Sequence, residues 1–320
     1  MIKHTDPILI MGAGSIGERH ISILQKLGFS NIWVYRQRNL PFRQIDVESV
    51  SSFTDRGKIV TIKPAAGIIS TPTSQHLEQA TFCLNHKIPV LIEKPLSHNL
   101  TGIGTLKAAV RQNKTYAQVA YMLRYHPYFN KIKTTIRTGA LGKLMHMEFF
   151  WGEYLPDWHP WEDYRNSYAG RKELGGGAAL TLSHDIDLSN WFTDSSIEHW
   201  EIRKNFVSMP ELDVESAAGI SITYRNGVSA HCYLGFQDQV PRRSYHFLFE
   251  QGRIEMDYYK SELITYSSKN TTIQSLPDFD RNQLYEAQIL DFFEQTCKRN
   301  SITKALNSIE ESEVIITICQ

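Results

Sequence analysis

Three glycines in "MGAGSIGERH", Gly12, Gly14 and Gly17, have the spacing G-x-G-x-x-G, directly after an apolar run and directly before a stretch of helical spacing. In that context the pattern suits a dinucleotide better than an ordinary strand–helix turn. Gly12 permits the tight turn, Gly14 lets the backbone approach a pyrophosphate, and Gly17 lets helix and strand pack closely. Ser15 and Ile16 open a helix whose N-terminus faces the phosphates. An NAD site usually carries an acidic residue about 20 positions further on. Here the second strand ends "VYRQRN", with no carboxylate, and Arg36 and Arg38 stand where a ribose 2′-phosphate would lie. Guanidinium forks match phosphate geometry, so the preferred cofactor is expected to be NADP, with NAD as the other choice. A second group of chemical residues is "WGEYLPDWHPWEDYRNSYAGRKELGGG", residues 151–177. Aromatic faces beside charged hydrogen-bonding groups suit a carbohydrate, and Trp158, Tyr164, Arg165 and Lys172 are the candidates. The Arg171–Lys172 pair suits a carboxylate or phosphate on the substrate. Arg124 and His126, in "MLRYHP", are expected to edge the same cleft.

These groups need elements to hold them. The first 121 residues alternate strand and helix signals, as a parallel α/β domain does. Strand-like runs fall at 8–11, 31–35, 67–70, 90–93 and 117–121, and helical spacing at 15–27, 74–85 and 100–112. Residues 46–62 carry no clear signal. Beyond Tyr121 the texture changes: 127–138 reads as a helix stopped by Gly139, 143–151 as a strand, and Gly175-Gly176-Gly177 opens a helix running to Phe192. From Ile197 to Leu276 strand-like stretches follow one another, with Asn226-Gly227 predicting a type I′ hairpin turn and "EQGRIEM" a second hairpin. Helices over 282–297 and after Ser308 close the chain, the last with Ser308 and Glu311 at capping-box spacing. The expected fold is α/β in class. An N-terminal Rossmann-type parallel-sheet domain, 1–121, is joined to a C-terminal α+β domain, 122–320, with a large, mostly antiparallel open sheet. The terminal helices are free to pack back on the first domain. "VSAHCYLGF" places apolar groups on both faces of its strand, so both faces of the second sheet are expected to be covered.

A length of 320 residues suits two domains, and 42% hydrophobic with 21% charged residues is the composition of a soluble globular chain. The formal net charge of zero gives no general attraction to nucleic acid or to an anionic membrane. Any anionic ligand must therefore be held by local groups. No stretch approaches the ~18 consecutive apolar residues of a membrane span, and the short N-terminal apolar run does not read as a signal peptide. Cys83, Cys232, Cys297 and Cys319 are far apart, without a C-x-x-C pair, which predicts reduced cytoplasmic thiols and no metal site.

"STPTSQHLEQA" (70–80), "IEKPLS" (92–97) and "ELGGGAALTLSHDID" (173–187), in order behind the glycine loop, resemble the glucose–fructose oxidoreductase / inositol dehydrogenase (Gfo/Idh/MocA) family. The resemblance runs over most of the chain. It implies an NAD(P)-dependent oxidoreductase acting on the CH–OH groups of sugars, polyols or related small molecules. It also implies a homodimer or homotetramer paired through the second sheet. Thr71 and Pro72 would lie along the cofactor near the nicotinamide, with Ser70, His76 and Glu93 lining it. Lys94 would contact both the cofactor ribose and the reacting hydroxyl, ahead of a Lys94–Pro95 bond that is often cis in relatives. His184 would match the active-site histidine. Residues 151–177 resemble relatives associated with cell-surface sugar biosynthesis.

The chemistry of these residue types agrees. Oxidising a secondary alcohol by hydride transfer requires a group that takes the hydroxyl proton, and His184 titrates in the right range. Lys94 can polarise the oxygen and stabilise negative charge. Asp185 and Asp187 are placed to orient the His184 ring. One departure stands out. Many relatives carry an aspartate at the position of Thr181, with the histidine four residues later, whereas His184 follows Thr181 by three. Thr181 is read as a substrate-facing residue, and it leaves open a second reading: a non-catalytic NAD(P)-binding sensor or scaffold that keeps the fold.

Overall fold

Strand β1 (Ile8–Met11) is apolar and fully buried at all four positions, as a strand covered on both faces must be. The computed structural model describes residues 2–38, 40–209, 211–298 and 307–320. After β1 come α1 (Ser15–Lys26), β2 (Ile32–Tyr35), β3 (Ser51–Phe53), α2 (Lys58–Ile62) and β4 (Ala66–Ile69). They are followed by α3 (His76–Asn85), β5 (Val90–Ile92), α4 (Ile103–Asn113) and β6 (Ala117–Val119). The six strands form one sheet in the order β3-β2-β1-β4-β5-β6, parallel at every pairing. Strand order reverses beside β1, which places the glycine loop at the topological switch point, where doubly wound sheets bind ligands. The silent stretch 46–62 holds β3 and α2. β3 is a three-residue edge strand with two exposed serines, so it lacks the apolar run that marks its neighbours.

The chain next forms α5 (Pro127–Thr138), β7 (Leu144–Tyr154), α6 (Ala178–Thr181), α7 (His184–Thr193), β8 (Ile197–Asn205), β9 (Ala217–Tyr224) and β10 (Ser229–Gly235). Then come β11 (Gln237–Phe249), β12 (Gly252–Asp257), β13 (Glu262–Ser267), β14 (Thr271–Ser275), α8 (Asn282–Cys297) and α9 (Ile309–Cys319). Eight strands make the second sheet, ordered β14-β13-β12-β11-β7-β10-β9-β8, antiparallel except where β7 runs parallel to β10. Its inner face carries Phe149, Tyr245 and Phe247; Phe129 of α5 and Phe192 of α7 meet these rings edge-on. Truncating such a buried ring costs about 3–5 kcal/mol.

Two sequence expectations need correction. The helix expected from Gly177 to Phe192 is two helices, because the chain tightens to i+3 bonding at Leu182–Ser183, with Ser183 N on Leu180 O (3.4 Å) and Asp185 N on Leu182 O (3.5 Å). The turn at Asn226-Gly227 is not type I′, which needs positive φ at both residues; only Gly227 has it, at +85°. Instead Gly227 N bonds Tyr224 O and Tyr224 N bonds Val228 O, closing a three-residue loop with glycine in the left-handed position. The terminal segment 281–316 groups with 1–122, as the expected fold left open, and the second compact unit comprises 123–280 and 317–320. The reason is aromatic packing. On α8, Tyr285 meets His20 at 5.7 Å, Phe293 meets Phe29 at 5.1 Å, and Phe292 stacks with Tyr116 at 6.0 Å. The capping box of the last helix forms in both directions, Glu311 N to Ser308 Oγ and Ser308 N to Glu311 Oε2, each at 3.1 Å.

Candidate active site

In the first unit the turn between β1 and α1 is built by three glycines with three different jobs. Gly12 sits at φ +97°, and a Cβ there would fall 2.8 Å from the Ser70 carbonyl oxygen. A Cβ on Gly17 would fall 2.2 Å from the Gly12 carbonyl oxygen. Gly14 differs: it is exposed, and a Cβ there would meet nothing within 4 Å. It precedes α1 and no side chain caps that helix. The first amides of α1, from Ser15 and Ile16 onward, therefore open beside vacant space, an arrangement that fits an anion such as a pyrophosphate. Ser70, expected at the cofactor, is buried and donates its hydroxyl to the carbonyls of Met11 (3.1 Å) and Gly12 (3.0 Å), so it braces the loop from behind. Thr71 and Pro72 are half-buried, and Thr71 Oγ1 donates to Gln79 Oε1 at 2.9 Å.

The segment after β2 is organised by two groups. Arg36 donates to Ser52 Oγ (3.0 Å) and to the Leu40 carbonyl, and its guanidinium lies 4.2 Å over the Phe42 ring. Glu18, a buried carboxylate in the first turn of α1, accepts from the amides of Arg43 (3.0 and 3.1 Å) and Gln44 (2.7 Å). Sequence reasoning missed Glu18, whose partners lie 25 residues on with no local signature. Arg38 is exposed on this segment.

At the end of β5, Glu93 is buried and its Oε1 lies 2.7 Å from His20 Nε2, while Oε2 accepts from the Lys94 amide at 3.2 Å. Burial pushes the carboxyl up, but His20 and the Lys94 charge outweigh it and hold it below its ordinary value. Glu93 is thus a support for the turn, and Lys94, half-buried, follows it into a cis Lys94–Pro95 bond. His76, expected to line the cofactor, is instead buried, with Nδ1 2.9 Å from the Pro95 carbonyl oxygen and Nε2 2.8 Å from that of Thr71.

In the second unit the triple glycine is demanded by close approach. A Cβ on Gly176 would fall 2.4 Å from the Ala169 carbonyl oxygen, and one on Gly177 (φ +107°) 2.6 Å from Glu215 Oε1. Glu215, another residue without a local signature, caps α6 by accepting from the Ala179 amide at 3.1 Å. His184 is the first residue of α7 and is buried, its ring 6.1 Å from that of Trp151; Thr181 is buried one turn earlier, at the end of α6. The aspartates beside His184 are committed to arginines. Asp185 Oδ1 accepts from Arg243 (2.8 Å) and from the Tyr245 hydroxyl (2.9 Å), and burial raises its pKa against the pull of Arg243. Asp187 accepts a two-pronged bond from Arg124, at 3.0 and 2.6 Å, with both side chains almost fully buried. Arg124 is therefore a buried ion-pair partner, not the cleft-edge residue expected. His126 caps α5, accepting from the Tyr128 amide at 3.1 Å. Arg243, unforeseen because β11 lies far along the chain, packs 3.4 Å over the Trp151 ring.

The 155–177 loop engages its own surroundings. Trp158 packs edge-on against Phe236 at 5.5 Å, and Tyr164 donates to Glu211 at 2.6 Å. Arg165 pairs with Asp163 at 2.8 Å, and the exposed Lys172 donates its amide to Asp213 at 2.7 Å, beside Arg171 at 3.7 Å from the same carboxylate. The two arginines already face carboxylates, whereas Lys172 is tied there through its backbone amide. Lys94, just after β5, and His184, at the start of α7, belong to different units.

Comparisons with known proteins agree with this architecture. Residues 7–121 match the model of an oxidoreductase family with an NAD-binding Rossmann fold, and 129–255 match the GFO/IDH/MocA C-terminal domain. The chain is 24% identical over 239 residues to the uncharacterized oxidoreductase YrbE of Bacillus subtilis (strain 168), covering 69% of this chain and 64% of that one. It is 25% identical over 190 residues to the rhizopine catabolism protein MocA of Rhizobium meliloti, covering 58% and 56%. Both matches span less than two thirds of the relative's length. The crystal structure of myo-inositol 2-dehydrogenase from Lactobacillus plantarum shares the fold, with a TM-score of 0.81 at 17% identity over 98% of this chain and 95% of that one.

Proposed function

Because the chain belongs to the Gfo/Idh/MocA family of oxidoreductases, we propose that it is an NAD(P)-dependent dehydrogenase or reductase. It moves a hydride between the cofactor and a hydroxyl- or keto-bearing carbon of a sugar, polyol, sugar acid or nucleotide sugar. The observation that carries this reading is the uncapped N-terminus of α1 beside the vacant face of Gly14. When bound, the nicotinamide supplies the hydride acceptor. The amides of Ser15 and Ile16 hold the pyrophosphate. The Lys94 ammonium donates to the substrate oxygen and stabilises its negative charge. The His184 imidazole takes the hydroxyl proton in oxidation and returns it in reduction. Deleting a proton-transfer group of this kind costs on the order of 10²–10⁴-fold. Lys94→Ala and His184→Ala are each expected to lower kcat by that order in a cofactor-absorbance assay with a panel of sugars and polyols. Turnover that survives both changes rejects the assignment.

NADP is the preferred cofactor in this reading. Arg36 is held by Ser52, Leu40 and Phe42, and Arg38 is exposed on the same segment to meet a 2′-phosphate. A charge-assisted bond of about 1.5–3 kcal/mol shifts preference tenfold or more. Equal wild-type affinities for NADP and NAD, or an equal loss of both in the Arg36→Ala/Arg38→Ala protein, would refute it. The second reading, a sensor or scaffold, is favoured by Thr181. A chain that binds cofactor and transfers no hydride across the panel would establish it. The outer face of the second sheet, with Phe150 stacked on Tyr233 at 4.8 Å and Leu248 exposed, supports a homo-oligomer, and a monomeric mass by light scattering would exclude that. The four free thiols suit action in the cytoplasm.

A further inference from the structure

His76 holds two backbone acceptors at once. Carbonyl oxygens only accept, and a neutral imidazole has a single N–H to give. A ring with one nitrogen 2.9 Å from the Pro95 oxygen and the other 2.8 Å from the Thr71 oxygen satisfies both contacts only when both nitrogens carry protons. One carbonyl belongs to the Thr71–Pro72 segment after β4, expected along the nicotinamide, and the other to the Lys94–Pro95 segment after β5, which carries the lysine of the proposed reaction. We propose that His76 is a positioning residue whose imidazolium ties these two segments together and so fixes Lys94 relative to Thr71 and Pro72. This rests on the roles given above to those three residues.

The surroundings bear on the charge. Glu93, buried one residue before Lys94, favours the imidazolium, and its own carboxylate is held by His20 of α1. The Lys94 ammonium opposes it. On its own helical segment Gln75 and Gln79 are neutral and bonded to each other at 3.0 Å, and the Glu78 carboxylate is exposed and paired with Arg56. Burial lowers the ring's pKa below the ordinary histidine value, and the two carbonyls and Glu93 act in the other direction. The tie therefore closes on the acid side of the ordinary range. When the ring loses its proton to solvent, one nitrogen keeps its N–H and the other turns a lone pair toward a carbonyl oxygen. One of the two segments is then released.

The test has two arms. In the first, the full chain labelled with ¹⁵N-histidine is followed by NMR from about pH 5 to 8, the span in which histidines titrate, with His76→Gln used for assignment. Both ring nitrogens of His76 are expected to be protonated at the acid end, and one proton is lost at a midpoint below that of an exposed histidine. In the second, kcat and KM are measured for the wild type and His76→Gln, whose amide reaches one carbonyl at most. The ratio of wild-type to variant kcat is expected to be about tenfold or more below the NMR midpoint. Above the midpoint it should fall toward one, with substrate KM little changed. A His76 ring that keeps a single proton throughout overturns the proposal, as does a kcat ratio that is flat across the midpoint. The NMR arm needs no turnover. A chain that shows the two-proton ring yet moves no hydride therefore counts against the proposed reaction and not against the tie.

Discussion

Gly14→Ala and Gly17→Ala should separate binding from folding within one loop. At Gly14 the backbone lies at φ −76° and ψ −170°, open to alanine, and the added methyl meets nothing within 4 Å. Removing glycine from the unfolded chain stabilises by about 0.4–1 kcal/mol. Alanine is the poorer N-cap by a comparable amount. The two nearly cancel, so the melting temperature should hold within about 2 °C. The same methyl occupies the space into which a pyrophosphate would come, and losing one charge-assisted amide contact costs about 1.5–3 kcal/mol, or roughly 10- to 100-fold in cofactor Kd. Gly17→Ala behaves oppositely in origin. Its methyl would sit 2.2 Å from the Gly12 oxygen, so α1 must move off the loop, at about 1–3 kcal/mol of overpacking. That lowers the melting temperature by several degrees and weakens the cofactor only as a consequence. The assays are thermal denaturation without cofactor and fluorescence titration with NADPH and NADH. A Gly14→Ala protein with wild-type Kd for both cofactors would sink the placement of the pyrophosphate.

Arg124→Met leaves the Asp187 carboxylate buried without its two-pronged donor, which should cost about 3–5 kcal/mol in urea unfolding. Adding Asp187→Asn should recover part of it, and a single variant within 1 kcal/mol of wild type would contradict the pairing. His126 should impose acid sensitivity. Burial pushes its ring down to about 3 while the unfolded chain titrates near 6.5, so the unfolded state binds the proton first. The stability is complete above pH ~6.5 and declines as pH falls toward 3, by about 1.4 kcal/mol per pH unit from this group alone. His126→Asn can still cap α5, and the difference between its pH–stability curve and that of the wild type should carry this slope; parallel curves would rule it out.

The parts of the fold legible in sequence are those set by local rules. Continuous apolar runs marked β1, β4 and β5, glycine spacing marked the turn into α1, and capping-box spacing marked the last helix. What escaped was set by residues distant in sequence. The break at Leu182–Ser183 falls in a stretch buried on every side, where no polar periodicity interrupts the helix signal. Asp185 and Asp187 read as orienting groups for His184 because they are neighbours in sequence. Their partners, Arg243 and Arg124, are 58 and 63 residues away. His76 was legible as a member of a motif, but its two carbonyl contacts exist only once β4 and β5 lie side by side.

The aromatic face of α8 has a consequence for synthesis. Phe29, Tyr116 and His20 each meet an aromatic ring on residues 285–293, and Lys26 reaches Glu286 across 260 positions. At a translation rate of about 5–20 residues per second, the first sheet leaves the ribosome on the order of ten seconds before the helix that covers it. During that interval the nascent chain carries an uncovered aromatic surface. A chain released before α8 would keep that surface permanently, making it a natural target for chaperones and proteases.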